Sequence, residues 1–217
     1  MPDKSNICFA EGADTKFALI GLMRHVIPGW PQKDSKDYPV WIEEENEIDQ
    51  LLKESTLRTE FRRTGLRAMG LVIDAEDNLP SVWGRVRDFA KKELENVPAG
   101  IPPDGLVLAH RDGRRLGLWV MPDNTSSGML EDFLRHMVPD QSDPLWQFSV
   151  RAVDTARAQH GARCREAHLP KARLHSWLAF QDPPGERLGH AIARKILNPH
   201  ATGAQLFIDW FKRLYGL

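Results

Sequence analysis

The sequence lacks several features that by themselves identify a class of protein. Its 217 residues include only two cysteines, Cys8 and Cys164, and neither belongs to a CxxC pair, so a disulfide framework is excluded. No apolar run approaches the length of about 18 residues that a membrane-spanning helix needs. The start of the chain also lacks the apolar core of a secretory signal. We therefore expect a cytoplasmic protein in a reducing compartment.

Strings typical of several common enzyme classes are also missing. The sequence contains no GxGxxG or Walker A string, no GxSxG elbow, and no HExxH or paired cysteine spacing. These absences argue against an ATPase, a serine hydrolase and a zinc enzyme. The formal net charge is −1, far from the basic footprint of a repressor or a histone. Any contact with nucleic acid must then be local, or be helped by a metal ion or a partner.

The apolar residues, 41% of the chain, alternate between strand-like and helix-like spacing. Short apolar runs predict strands, and the segments between them have the spacing of amphipathic helices. This repeated strand–helix order predicts an α/β fold with a mainly parallel sheet and right-handed crossovers. We expect strands at residues 7–10, 38–42 and 66–73, and helices at 14–26, 44–61 and 81–96, with Asp14 as the N-cap of the first helix.

After residue 100 the predicted order of strands and helices no longer alternates. Two apolar arms around Asp112-Gly113 predict a hairpin over residues 105–121, because this dipeptide adopts the positive φ of a tight turn. The remainder has helical spacing, at 129–138, 143–160, 168–181, 188–197 and 205–214. We expect one domain over residues 1–217, with an α/β core at 1–125 and a helical extension at 126–217 packed on it.

Carboxylates stand where predicted strands end. Glu11 follows the first strand, Asp74 and Glu76 follow the third, Asp123 ends the hairpin, and Glu131 opens the next helix. Because ligands of open α/β sheets bind beyond the carboxyl ends of the strands, these side chains are expected in one cleft. Each acid alone is explained better by capping or by solvation than by metal binding, but together they repel one another unless a cation is present. Mg²⁺ is the natural cation for such oxygen ligands.

Two of these motifs resemble the Toprim domain of topoisomerases, primases and overcoming-lysogenization-defect nucleases. They are Glu11-Gly12-x-Asp14 before a helix, and the strand 70–74 with Ala75-Glu76 after it. Over nearly its full length the chain is similar to a bacterial family of unknown function that is related to Toprim. The segments that carry this closer resemblance are 71–76, 119–134 and 171–192.

The resemblance implies a Toprim-like sheet flanked by helices and a site that binds Mg²⁺ or Mn²⁺. Glu11 takes the role of general acid–base or of metal ligand, and Asp74 and Glu76 take the role of a metal-binding pair. The usual residue at the second position of that pair is aspartate, so Glu76 departs from the pattern, and Asp77 is the alternative ligand. Asp123 and Glu131 are further candidate ligands.

Lys171 is the remaining catalytic candidate. It lies four residues before His175, so the two share one face of a predicted helix. Some Toprim nucleases use a lysine to stabilise charge on the reacting phosphate, and the resemblance includes Lys171. The alternative is a surface lysine that extends over Trp177, and His175 is expected to be structural.

These observations predict a Mg²⁺-dependent nuclease that cleaves phosphodiester bonds of DNA or RNA. The Toprim resemblance further implies an ATPase partner of the ABC or SMC type, a role in bacterial defence or in mobile elements, and a homo-oligomer as one assembly. One alternative is a Toprim-fold interaction or regulatory subunit without nuclease activity. Another is a small-molecule phosphatase or nucleotide hydrolase that uses the same acids.

Overall fold

A five-stranded sheet forms the centre of the protein. The computed structural model describes residues 3–32, 35 and 37–217. The strand order is β2-β1-β3-β5-β4, and all neighbouring strands are parallel except the β4–β5 pair, which is the predicted hairpin. The α/β class and the mainly parallel sheet are therefore confirmed. The strands are β1 (Asn6–Glu11), β2 (Trp41–Glu45), β3 (Ala68–Asp74), β4 (Leu106–Ala109) and β5 (Arg115–Met121).

Helices cover both faces of the sheet and make up most of the last third of the chain. The helices within the α/β half are α1 (Gly12–Val26), α2 (Ile48–Leu51), α3 (Glu54–Phe61) and α4 (Leu79–Glu93). The later ones are α5 (Leu130–Arg135), α6 (Pro144–His160), α7 (Leu169–Ala179), α8 (Leu188–Ala193) and α9 (Thr202–Tyr215), with a 3₁₀ turn at Glu166–His168 before α7. Among the described residues, no helix has both the length and the apolar composition that crossing a membrane requires.

Two apolar layers pack on opposite faces of the sheet. Successive strand residues point to opposite faces, so Ile7 and Phe9 of β1 contact the layer of α2, α3 and α4, whereas Cys8 and Ala10 contact the layer of α1 and the later helices. Both faces are covered, which explains why the central strands β1 and β3 are nearly continuous apolar runs rather than alternating ones.

The carboxy-terminal helix α9 attaches the helical extension to the sheet. Trp210 is fully buried, and its indole N–H donates to the carbonyl oxygen of Leu106 in β4 at 2.9 Å. The hydroxyl of Tyr215 donates to the carbonyl oxygen of Ile7 in β1 at 2.8 Å. These bonds from one helix to two separate strands fix the extension against the core.

The segment 44–61, predicted as one helix, has a different structure. Glu43, Glu44 and Glu45 lie in β2, where they pair with the last three residues of β1. The chain then forms two short helices, α2 and α3, on either side of Leu52 and Lys53. Glutamate favours helix locally, but pairing with a strand more than thirty residues earlier in the chain overrides that preference.

The start of α1 also differs from the prediction. The helix begins at Gly12, with Glu11 in the capping position, and Asp14 lies inside the first turn rather than before it. Gly12 has a φ of +73°, a conformation that glycine adopts without steric cost. The chain can therefore turn from strand to helix directly after Glu11, which leaves no room for a separate cap at Asp14.

Candidate functional site: an acidic cluster at the carboxyl edge of the sheet

Glu11 and Asp74 are adjacent because β1 and β3 are parallel neighbours. Each is the last residue of its strand, and the strands are in register with Ala10 opposite Val72. The Oε2 atom of Glu11 accepts a hydrogen bond from the backbone N–H of Asp74 at 2.9 Å. The structure thus brings the two principal sequence candidates into direct contact at the carboxyl edge of the sheet.

The loops after β3 and β5 are joined at the same edge. Glu76 and Gly128 exchange two backbone hydrogen bonds, of 2.8 and 2.9 Å. Glu76 has a φ of +47°, which is uncommon for a residue with a side chain and is held here by these paired bonds. In addition, Oδ1 of Asp74 accepts from the N–H of Leu130 at the start of α5 at 3.0 Å. The acidic edge therefore rests on backbone hydrogen bonds that fix its shape.

The carboxylates of this edge repel one another. The pKa of Asp74 is raised to about 8, mainly by burial and also by the charges of Glu11, Glu131 and Glu76, against the opposing N–H of Leu130. Burial also raises the pKa of Glu11, with a contribution from the charge of Glu76 and an opposing one from the N–H of Asp74. We call Glu11, Asp74, Glu76 and Glu131 the acidic cluster. Near neutral pH Asp74 retains a proton for a large fraction of the time.

Lys171 supplies a cation beside the acidic cluster. Its Nζ atom lies 3.2 Å from Oε1 of Glu131 and 3.3 Å from Oδ2 of Asp14. The side chain of Glu131 is only 4% exposed, whereas that of Lys171 is 48% exposed. Burial lowers the pKa of Lys171, but the charges of Glu131 and Asp14 outweigh burial, and the net pKa is raised. This lysine remains protonated and links α7 to α5 and α1.

Asp123 lies outside the acidic cluster. Its carboxylate accepts four hydrogen bonds within its own loop, from the N–H and hydroxyl groups of Thr125 and Ser126, at 2.7 to 3.1 Å. Burial raises its pKa, but these hydrogen bonds outweigh burial, and the net pKa is lowered. Asp123 shapes the turn after β5, which is sufficient to explain an acid at this position.

A cavity of about 360 Å³ opens next to the acidic cluster, on the side of Glu76. Its floor comes from the joined loops after β3 and β5, and its far wall comes from the segment before α7. Asp77, the alternative ligand of the sequence prediction, is exposed and lines this cavity, as Glu76 does. His175 is exposed on α7. The side chains on the wall that sequence reasoning missed are Arg165 and His168.

The donor atoms of the acidic cluster suit a hard cation. Within residues 3–32, 35 and 37–217, no three His, Cys, Asp or Glu side chains already stand in a metal-binding arrangement. Mg²⁺, however, is usually held by one or two carboxylates, with water and substrate phosphate as the other ligands. Glu11 and Asp74 meet that requirement, because each uses one carboxylate oxygen for a backbone N–H and has a second. These residues fit a hydrated Mg²⁺ site rather than an all-protein cage.

Comparison with known families assigns the chain to one of them. A family described as "Protein of unknown function (DUF3226)" matches residues 5–216. The chain belongs to the DUF3226 family. The matched range runs from the residue before β1 to the residue after α9, so the acidic cluster and the cavity lie within the DUF3226 region. Neither the curated proteins nor the solved structures gave a match to the chain.

Proposed function

We propose that this DUF3226 protein is a nuclease that uses Mg²⁺ or Mn²⁺ to cleave phosphodiester bonds of DNA or RNA. The observation that carries the proposal is the contact of Glu11 with Asp74 at the sheet edge, in surroundings that raise the pKa of Asp74 to about 8. A group of partly buried acids that repel one another is stabilised by a divalent cation. The Toprim resemblance supports the same chemistry.

The residues of the acidic cluster have separate roles in this proposal. Asp74 and Glu76 hold the metal ion, and Glu131 is a further candidate ligand. Asp77 is the alternative to Glu76. Glu11 is a further ligand, or it acts as general base and general acid, for which a raised pKa is an advantage near neutral pH. A bound divalent cation would offset negative charge on the phosphate that reacts.

Lys171 is placed to act on the same phosphate. Its side chain is half-exposed, its amine is protonated, and Nζ lies beside Glu131 at the border of the acidic cluster. A protonated amine can stabilise the charge that develops on phosphate oxygens in the transition state. We assign this role to Lys171, with the ion pair to Glu131 holding the amine in position.

The partner and the setting are also part of the proposal. With a formal net charge of −1, the chain is far from the strong basic charge that drives binding to nucleic acid. We propose that an ATPase of the ABC or SMC type brings the substrate to this cytoplasmic protein, in bacterial defence or in mobile elements, with a homo-oligomer as one assembly. This part rests on the Toprim resemblance alone.

Cleavage assays test the proposed activity. Single-stranded DNA, duplex DNA, RNA and tRNA are incubated with the protein and Mg²⁺ or Mn²⁺, with and without the ATPase partner. Loss of groups around a metal ligand already costs about 10- to 100-fold, so Asp74→Asn should lower cleavage by at least about 100-fold. Glu11→Gln should lower it by about 100-fold or more, the usual contribution of a general acid–base. Asp209→Asn, at an exposed site on α9, is the matched control and should cleave as the wild type does.

A second candidate is an interaction or regulatory subunit without nuclease activity. It is favoured because Glu11 and Asp74 already have structural roles, since each accepts a backbone hydrogen bond that shapes the sheet edge. The replacement of the usual aspartate by Glu76 also favours it. No cleavage of any substrate, by the protein alone or with its partner, would select this candidate over the nuclease.

A further inference from the structure

The cavity beside the acidic cluster has two chemically different sides. Its floor carries acids from the joined loops, namely Glu76, Asp77 and Asp132, together with the backbone of Gly128 and Met129. The opposite wall is formed by the chain from Arg165 to His168 and by Pro170 at the start of α7. With a volume of about 360 Å³, it falls at the lower end of the range for pockets that bind small ligands.

Arg165 is a cation in this wall that no carboxylate neutralises among the described residues. Its Nη2 atom lies 3.1 Å from Nε2 of His168, and because arginine is only a donor, His168 accepts this bond. The adjacent Glu166 forms its ion pair with Arg157 at 2.8 Å instead. The guanidinium of Arg165 therefore has donors left for an anionic ligand at the mouth of the cavity.

We infer that this cavity binds one unpaired nucleotide of a single-stranded nucleic acid, with Arg165 contacting the phosphate of that nucleotide. This inference rests on the proposed nuclease function, because Glu76 belongs both to the cavity and to the acidic cluster. A phosphate bound between Arg165 and the acidic cluster would contact the guanidinium of Arg165, which is permanently charged, on one side. An arginine fork is well suited to phosphate oxygens.

The small size of this open recess selects single strands over duplexes. Bases of a duplex are stacked inside the helix, and one enters a recess only if the enzyme extrudes it at a cost in free energy. An unpaired nucleotide enters without that cost. On the floor, carboxylates of Asp77 and Asp132 can accept hydrogen bonds from the amino groups of a base. Binding should therefore depend on both the phosphate and the absence of pairing.

Direct binding tests the inference without relying on cleavage. Fluorescently labelled single-stranded DNA and RNA oligonucleotides, and a blunt DNA duplex, are titrated with the protein in Ca²⁺, and gels verify that the strands stay intact. Arg165→Ala is compared with Arg163→Ala, which removes an exposed arginine of the same segment that does not line this cavity. Both side chains are exposed, so neither change should affect folding.

The expected result is that Arg165→Ala weakens single-strand binding by about tenfold or more, as for loss of a hydrogen bond to a charged group. The salt dependence of binding should also decrease by about 0.7 in the slope of log K against log salt, the value for one phosphate contact on a single strand. Arg163→Ala should change the dissociation constant by less than about twofold. Equal effects of the two variants, duplex binding as tight as single-strand binding, or no binding of any strand by the wild type would each overturn the inference.

The outcomes separate this inference from the proposed function. Cleavage that requires Asp74 but is indifferent to Arg165 would leave the nuclease proposal intact and remove the nucleotide site. Single-strand binding that requires Arg165, in a protein that cleaves nothing, would retain the site and remove the nuclease proposal.

Discussion

The backbone N–H of Asp74 donates a hydrogen bond to Oε2 of Glu11 at 2.9 Å, across the boundary between two parallel strands. The same Asp74 accepts from the N–H of Leu130 at 3.0 Å. One acid thus connects the end of β1, the end of β3 and the start of α5. Because these contacts are made by backbone groups, they keep the carboxylates together even though their charges repel one another.

This repulsion predicts that the stability of the metal-free protein depends on pH through Asp74. Its pKa is about 8 in the folded protein, against an ordinary value of 3.8. The folded state therefore holds the proton more tightly than the unfolded state does. The stabilising contribution is fully present below about pH 4 and is lost as the pH rises through about 8.

Asp74→Asn should remove this pH dependence, because the amide has no proton to lose and its oxygen can still accept from Leu130. We expect the variant to exceed the wild type at pH 9 by at least about 1 kcal/mol in unfolding free energy, or about 2–4 °C in thermal midpoint. At pH 5 the advantage of the variant should be much smaller, because most of the loss occurs between the two pKa values, from about pH 4 to about pH 8. Thermal unfolding in EDTA at both pH values measures this, with Asp209→Asn as the control. An equal difference at pH 5 and pH 9 would contradict the raised pKa.

The ion pair of Lys171 with the buried Glu131 predicts a stability effect that is separate from catalysis. Lys171→Met leaves the carboxylate of Glu131, 4% exposed, without its cation. Because the lysine itself is half-exposed, we expect a loss of about 1–2 kcal/mol in urea unfolding, less than for a fully buried pair. Lys91→Met, at an exposed lysine of α4, should change stability by less than about 0.5 kcal/mol.

The double variant Lys171→Met/Glu131→Gln distinguishes the two roles of Lys171. Neutralising both partners should recover most of the lost stability. If Lys171 acts on the phosphate, the double variant should be nearly as stable as the wild type but should cleave more slowly than the wild type does. Recovery of cleavage together with stability would show that Lys171 has a structural role only.

The contact between α1 and α8 predicts opposite effects at two helical glycines. A Cβ atom at Gly21 would collide with the carbonyl oxygen of Gly189, whereas one at Gly84 in α4 would meet nothing within 4 Å. Gly21→Ala should therefore destabilise the protein by about 1–3 kcal/mol, the cost of overpacking. Gly84→Ala should stabilise it by about 0.5–1 kcal/mol through helix propensity. Urea unfolding of both variants checks the packing of the two helices, and a stabilising Gly21→Ala would contradict it.

The contact of Glu11 with Asp74 follows from information that is local in the sequence. Each acid ends an apolar run that is recognisable as a buried strand, and parallel strands end at one edge of the sheet. By contrast, the strand structure of Glu44 and Glu45 depends on pairing with β1. That partner is distant in the sequence, so local helix propensity led to the wrong element.

Asp123 shows why residue type at a strand end is not sufficient to define a site. A carboxylate there can face the cleft, or it can accept hydrogen bonds from the backbone N–H groups of its own loop. Thr125 and Ser126, two and three residues later, were the available signal for the second arrangement.

Arg165 could not have been found from the sequence, for a different reason. It lies in a segment without periodic spacing, between α6 and the 3₁₀ turn, and it reaches the cavity only because α7 packs next to α5. Such a position depends on tertiary packing. Glu76 and Asp77 on the acidic side follow a strand that the sequence predicts. The position of Arg165 on the basic side cannot be predicted in this way.

Calorimetric titration with Mg²⁺ and Mn²⁺ at pH 7 tests the central claim most directly. We predict that the wild type binds metal and releases protons, because Asp74 must lose its proton when the cation binds. The released protons are counted from the dependence of the heat on the ionisation enthalpy of the buffer. Asp74→Asn should bind at least about 100-fold more weakly, and Asp209→Asn should bind as the wild type does. No binding of either metal by the wild type, or equal binding by Asp74→Asn, would contradict a metal site at the acidic cluster.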